Sequence, residues 1–103
     1  MRAWSNINNK KAHEWGLNLA QTVVFSLVYE LPSWADEEVI GGKAYYFLTP
    51  NKAIDEIPYV TDKPDTMKRH FMSLEKMGLI EYTKINGKDY YRLTEKSKEW
   101  GIK

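Results

Sequence analysis

The chain has 103 residues, of which 43% are hydrophobic and 14% aromatic, and it contains no cysteine. This length and composition predict one domain with a packed core, and they exclude disulfides, thiolate catalysis and cysteine-based zinc sites. No apolar run reaches about 18 residues, the length that predicts a membrane span, and the polar N-terminus lacks the apolar segment of a signal peptide. We therefore expect a cytoplasmic protein without membrane contact, with a polar arm at residues 1–12 and one domain at 13–103.

Charge is distributed unevenly along the chain, although the formal net charge is only +1. Between Tyr29 and Asp62 there are two basic and seven acidic residues, whereas Lys63 to Lys98 contains nine basic and five acidic ones. The positive second half suits a polyanionic partner, and the alternative interpretation is an ordinary solvated surface.

The first predicted element is a helix from His13 to Leu31. Apolar residues recur at helical spacing, at positions 15, 19, 23, 27 and 31 with a second row at 20, 24 and 28. Phe25 lies toward the polar side of this helix, which predicts packing against another element or another subunit. Pro32 ends the helix because a proline ring does not fit a helix interior. The predicted polar face consists of Glu14, Asn18, Gln21, Thr22 and Ser26.

A β-hairpin is predicted next, with Val39–Ile40 as its first strand and Ala44–Leu48 as its second. Gly41 and Gly42 lie between the strands and provide the positive φ angles that a two-residue hairpin turn requires. The aromatic residues Tyr45, Tyr46 and Phe47 of the second strand are expected to be mostly buried, with one of the tyrosines exposed.

Two helices follow the first hairpin. Thr49 is predicted to cap a short helix, "NKAIDEI", with Pro50 at its first position, where a missing amide hydrogen costs nothing. Thr61 or Asp62 is predicted to cap a longer helix that continues to about Met77.

The apolar pattern then changes from helical to alternating at Gly78, which is suited to stop the helix in a left-handed conformation. The strands "LIEYTK" and "KDYYRL" flank Asn86–Gly87, the strongest short signal for a hairpin turn. Alternation places Tyr90 and Arg92 on the outward face, and Thr94 is predicted to cap a last short helix, "EKSKEW". The predicted buried face consists of Ile80, Tyr82, Tyr91 and Leu93.

This order of elements predicts a winged helix-turn-helix. The stretch "TMKRHFMSLEKMGLIEY…NGKDYYRLTEKSKEW" resembles the winged-helix domains of MarR- and PadR-type regulators and the replication-associated winged helices of phages and plasmids. Ser97 stands where those families commonly have a glycine. The predicted fold class is α+β and mainly helical, a winged helix-turn-helix with an additional β-hairpin between helices 1 and 2. The matching residues are Thr66, Leu74, Glu75, Lys76, Gly78, Leu79 and Ile80.

The resemblance implies that the third helix enters the major groove of double-stranded DNA and that the second hairpin, the wing, contacts the backbone. At about 100° per residue, Met67, Phe71 and Leu74 define the buried face of that helix. Arg69 then points outward, where it can pair with guanine, and the lysines contact phosphates. The predicted DNA-binding residues are Thr66, Lys68, Arg69, Ser73 and Lys76 on the helix, and Lys84, Asn86, Lys88 and Arg92 on the wing.

A different function remains open for the same fold, a protein-interaction module that serves in assembly or inhibition. Asp65 and Met72 on the outward helix face favour this alternative, because a carboxylate repels phosphate and methionine is common at protein interfaces. A homodimer through Phe25 or Trp100 is also considered.

No enzyme is predicted from the sequence. It contains neither a Gly-rich phosphate loop nor a pair of histidines at metal-binding spacing. We interpret the carboxylates of Asp36–Glu38 as a solvated loop, and we expect no catalytic residue, metal or cofactor.

Overall fold

The computed structural model describes residues 7–101 as an α+β fold, about half of it helical, around a four-stranded antiparallel sheet. Part of the predicted polar arm is helical, and Ala12 is buried there, whereas residues 1–6 lie outside the described part. The elements are α1 (Asn9–Glu14), α2 (Leu19–Glu30), a 3₁₀ turn (Leu31–Ser33), β1 (Glu37–Ile40), β2 (Lys43–Phe47), α3 (Pro50–Glu56), α4 (Pro64–Lys76), β3 (Ile80–Ile85), β4 (Lys88–Leu93) and a 3₁₀ helix (Lys96–Gly101).

The prediction of one helix from His13 to Leu31 is wrong, because the chain leaves helical geometry at Gly16. This glycine has a φ of +71°, a conformation that side chains with a Cβ atom rarely adopt. The amide of Leu17 donates to the carbonyl of Ala12 at 2.9 Å, which closes α1 in a Schellman motif. The apolar rhythm continues across this break and therefore conceals it.

Helix α2 has its own start signal, a capping box at Asn18. The Asn18 side chain accepts from the amide of Gln21 at 2.8 Å, and the Gln21 side chain accepts from the amide of Asn18 at 3.0 Å. The polar face predicted for this helix is wrong at Thr22 and Ser26, which are buried. Their hydroxyls donate to the carbonyls of Asn18 and Val23, and this makes their burial tolerable.

Phe25 packs against another element of the same chain, which was one of the two arrangements predicted for it. Its ring centroid lies 4.8 Å from that of Trp100 and 5.7 Å from that of Trp15. Both Phe25 and Trp100 are buried, with exposures of 0% and 2%. These two side chains therefore join α2 to the 3₁₀ helix and are not available for the dimer contact considered above.

Both predicted hairpins are present, and the strands lie in the order β1-β2-β4-β3. The turn residues have positive φ as predicted, 59° and 80° at Gly41–Gly42 and 52° and 77° at Asn86–Gly87. The two hairpins join through β2 and β4, where Tyr46 lies opposite Tyr91. This pairing makes one continuous sheet.

The inner face of the sheet packs against the helices. Tyr91 is fully buried, and its ring centroid lies 4.9 Å from that of Phe71 on α4. Its hydroxyl has no hydrogen-bond partner among residues 7–101, and burial raises its pKa far above the ordinary value, so the phenol remains neutral. The predicted inner residues are confirmed as buried or half-buried and in contact with the core: Ile80, Tyr82, Tyr91 and Leu93.

Helix α3 begins as predicted, with the Thr49 side chain accepting from the amide of Lys52 and Pro50 in the first turn. Helix α4 begins differently: its N-cap is Lys63, which makes no capping bond, so the predicted caps Thr61 and Asp62 are wrong. The Thr61 hydroxyl oxygen instead accepts from the Lys63 amide at 3.2 Å in the turn before the helix.

Helix α4 ends as predicted, with Gly78 at a φ of +79° after Lys76. After β4, the predicted last helix is a 3₁₀ helix, and the Thr94 hydroxyl oxygen accepts from the Ser97 amide at 3.3 Å. None of the helices in residues 7–101 is long and apolar enough to cross a membrane. The buried residues of α4 are those predicted: Met67, Phe71 and Leu74.

Candidate nucleic-acid interface

Helix α4 and the β3–β4 hairpin are in contact with each other. The helix packs against α2, α3 and β3, which leaves its Arg69 side open to solvent. The Gly78 turn connects the helix directly to β3, so the hairpin extends beside the helix that precedes it.

Both elements carry cations that make no hydrogen bond or ion pair with any described residue. Arg69 and Lys76 are exposed on α4, and Lys84 and Lys88 are exposed on the hairpin. Asn86 is exposed at the hairpin tip, between these two lysines in sequence. Such side chains can bind an anion without first breaking a hydrogen bond or ion pair, although the Nζ of Lys88 lies 5.9 Å from the centroid of the Phe47 ring.

Lys68 differs from these cations, because it is already engaged with the hairpin. Its Nζ donates to the Tyr82 hydroxyl at 3.0 Å, lies 3.3 Å from the Asp89 carboxylate and lies 4.1 Å from the centroid of the Tyr82 ring. The Tyr82 hydroxyl donates to Asp89 at 2.6 Å. Burial alone lowers the pKa of Lys68, but the bonds to Tyr82 and Asp89 outweigh it and raise the pKa above its ordinary value.

Ser73 does not lie on the open face of α4, which corrects the prediction that it faces outward. Its hydroxyl accepts from Gln21 of α2 at 3.0 Å and donates to the His70 carbonyl at 3.2 Å. Met72 is likewise half-buried and packs against the core. Because α2 covers this flank, the exposed arc of α4 is narrower than helical periodicity alone predicts.

Arg92 points outward from the core as predicted, but on the sheet face opposite to α4. It pairs with Glu81 at 3.2 Å, and its guanidinium lies 5.9 Å from the centroid of the Tyr45 ring. Arg92 and Arg69 therefore belong to different surfaces.

Three further residues lie on or beside the open face of α4. Thr66 is half-buried on its flank, and Asp65 is exposed in the first turn, where a carboxylate suits the positive end of the helix. His70 is half-buried, and burial followed by the nearby charge of Arg69 lowers its pKa below the ordinary value. His70 is consequently neutral near neutral pH, and the positive charge here belongs to lysine and arginine.

Lys63 is a further candidate cation, which was not predicted from the sequence. It is exposed immediately before α4, and it makes no ion pair with a described residue. The signal was Pro64, which marks the first turn of the helix and thereby places Lys63 at the N-cap.

No group of three or more His, Asp or Glu side chains in residues 7–101 is arranged to hold a metal ion. Comparison with known protein families, with curated proteins and with solved structures found no match to this chain.

Proposed function

We propose that this chain is a non-enzymatic winged-helix protein that binds double-stranded DNA, either as a transcriptional regulator or as a phage- or plasmid-type replication domain. Helix α4 enters the major groove, and the β3–β4 hairpin is the wing that contacts the backbone. The observation that carries this proposal is a set of exposed cations on both elements that make no hydrogen bond or ion pair with a described residue: Arg69, Lys76, Lys84 and Lys88.

The proposed roles follow from the chemistry of each side chain. Arg69 has a planar guanidinium that can donate two parallel hydrogen bonds to guanine, a pairing worth about 1–3 kcal/mol of discrimination. Lys76, Lys84 and Lys88 contact phosphates, which gives affinity without sequence preference. Because Lys68 already joins α4 to Tyr82 and Asp89, it sets the position of the wing relative to the helix.

The test combines Arg69→Ala with Lys88→Ala and titrates a labelled mixed-sequence duplex at several salt concentrations. We expect affinity to fall by roughly tenfold or more, and the slope of log K against log salt to become shallower by about 1–2. The matched control is Lys98→Ala, which removes an exposed lysine in the 3₁₀ helix that pairs with Glu95. Equal affinity and slope in the double variant and the wild type would contradict the proposal.

A protein-interaction module is the second candidate, and a specific surface favours it. Leu19 is 81% exposed and Tyr59 is 59% exposed, and both line an apolar groove of about 390 Å³ with Ala20, Val23 and Val60. Exposed apolar patches of this kind often mark protein contacts. A partner that binds wild type but not Leu19→Glu, with no duplex affinity near physiological salt, would favour this candidate over DNA binding.

A further inference from the structure

The outer face of the sheet, which points away from α4, carries an aromatic row. Tyr45, Phe47 and Tyr90 alternate along their strands with the inner residues Tyr46 and Tyr91. These three rings are half-buried and belong neither to the core nor to the residues packed against it. The rings of Phe47 and Tyr90 contact each other, with centroids 5.8 Å apart.

A groove of about 390 Å³ lies beside this row, with Tyr90 in its lining. One wall comes from β1, where Val39 is 63% exposed, and the other comes from the end of the β3–β4 hairpin, where Ile85 is 39% exposed. The polar groups in the lining include the Asn86 amide, which can both donate and accept hydrogen bonds. The volume falls within the range of about 300–1,000 Å³ that is common for small-molecule sites.

The cations on this face are arranged around the rings. Arg92 and Lys43 share one carboxylate, that of Glu81, at 3.2 and 3.8 Å, so this trio retains a positive charge. Lys88 makes no ion pair with a described residue, and its Nζ lies 5.9 Å from the centroid of the Phe47 ring. The charge of this face is therefore suited to an anionic ligand, although Glu38 lines the groove as well.

We propose that the outer face binds single-stranded nucleic acid. One base enters the groove and stacks on Tyr90, and neighbouring bases lie on Phe47 and Tyr45, because aromatic rings on the open face of a sheet are stacking platforms for unpaired bases. Lys43 and Lys88 contact the phosphates.

The spacing of the rings favours a single strand over a duplex. Tyr45 and Phe47 are two residues apart on β2, which separates them by about 7 Å along the strand, roughly twice the 3.4 Å rise of a B-form duplex. Bases held at that distance are splayed and expose their ring faces, which a duplex does not. The rings of this surface lie on the sheet face opposite to α4, and it shares Lys88 with the proposed duplex surface. Arg69 and Tyr90, which belong to one surface each, therefore distinguish the two proposals.

The experiment measures anisotropy of a labelled oligothymidylate of about 12 nucleotides, a length within the usual site size for such platforms. Tyr90→Leu keeps an apolar side chain but removes the ring, and we expect affinity to fall by about 5- to 100-fold. Tyr90→Phe is the matched variant and should bind like wild type, because the Tyr90 hydroxyl makes no hydrogen bond to a described residue. An abasic strand of the same length should bind at least as weakly as Tyr90→Leu binds the normal strand.

Two further measurements distinguish single-strand binding from duplex binding and do not depend on whether Tyr90→Leu folds. Arg69→Ala should leave oligothymidylate affinity unchanged while it weakens duplex binding. In wild-type protein, NMR should show oligothymidylate shifting the ring signals of Tyr45, Phe47 and Tyr90, with little change at Tyr82. Equal affinity of Tyr90→Leu and wild type, or equal binding of abasic and normal strands, would overturn the proposal.

Discussion

Helices α2 and α4 have nearly the same length, 12 and 13 residues, but they are exposed to solvent very differently. Helix α2 buries seven consecutive residues, 22–28, so other elements surround it on most sides. Helix α4 buries one stripe, Met67, Phe71 and Leu74, and keeps Arg69 and Lys76 in solvent. The contrast indicates that α2 supports the fold, whereas α4 presents a surface and is joined to the hairpin through Lys68.

The strongest way to test this contrast is Phe25→Ala in α2. We expect the free energy of unfolding to fall by about 3–5 kcal/mol, because the change leaves a cavity against Trp15 and Trp100. Urea denaturation monitored by tryptophan fluorescence measures the loss. Leu19→Ala is the control in the same helix, and it should change stability by less than about 0.5 kcal/mol since Leu19 is exposed. A loss below that of the control would show that α2 does not support the core.

The next effect concerns the contact that holds α4 to the hairpin. Lys68→Met keeps the length of the side chain but removes the ammonium group that bonds to Tyr82 and Asp89. We expect a loss of about 1–2 kcal/mol, after allowance for partial solvent screening, because Asp89 loses its cation. Thermal unfolding measures it, and Lys76→Met is the control because Lys76 makes no ion pair with a described residue.

The same contact has a defined pH dependence. The folded state raises the pKa of Lys68, so its stabilising contribution is complete below the ordinary pKa of 10.5 and is lost as the pH rises through the folded value. The difference in stability between wild type and Lys68→Met should therefore be constant near neutral pH and shrink above about pH 10.5. A difference that shrinks on acidification down to about pH 6 would contradict this assignment, since neither Lys68 nor a typical carboxylate titrates there.

A smaller effect is expected at the start of α2. Asn18→Ala removes the side chain that accepts from the Gln21 amide, and we expect a loss of about 1 kcal/mol. The corresponding change in α4 is Lys63→Asn, which provides a capping side chain where none exists and should stabilise the protein by up to about 1 kcal/mol. Chemical denaturation of both variants compares the two helix starts. A loss of stability in Asn18→Ala and a gain in Lys63→Asn would show that only α2 has a side-chain cap. An unchanged stability in Asn18→Ala would contradict the capping box.

The residues that were predictable from sequence share a local cause. The two hairpin turns and the end of α4 were predicted at the correct residues, because glycine and asparagine adopt positive φ angles more readily than other residues. The residues with positive φ at these sites are Gly41–Gly42, Gly78 and Asn86–Gly87. The break at Gly16 is also local, but the apolar rhythm runs through it and masked it. Lys68 pairs with Asp89, and Ser73 bonds to Gln21. Both partners are distant in sequence, and apolar periodicity does not predict contacts between distant polar side chains.

The smallest expected effect on stability is at Arg69, and it separates the two roles of α4 most directly. Arg69→Ala should change the free energy of unfolding by less than about 0.5 kcal/mol, because the guanidinium is exposed and makes no bond to a described residue. The same change should weaken duplex binding by about 1–3 kcal/mol if Arg69 contacts a base. Phe25→Ala should show the opposite pattern at temperatures where the variant remains folded, with stability lost and duplex affinity retained. A large stability loss at Arg69 would mean that this face of α4 is part of the scaffold rather than a surface for a partner.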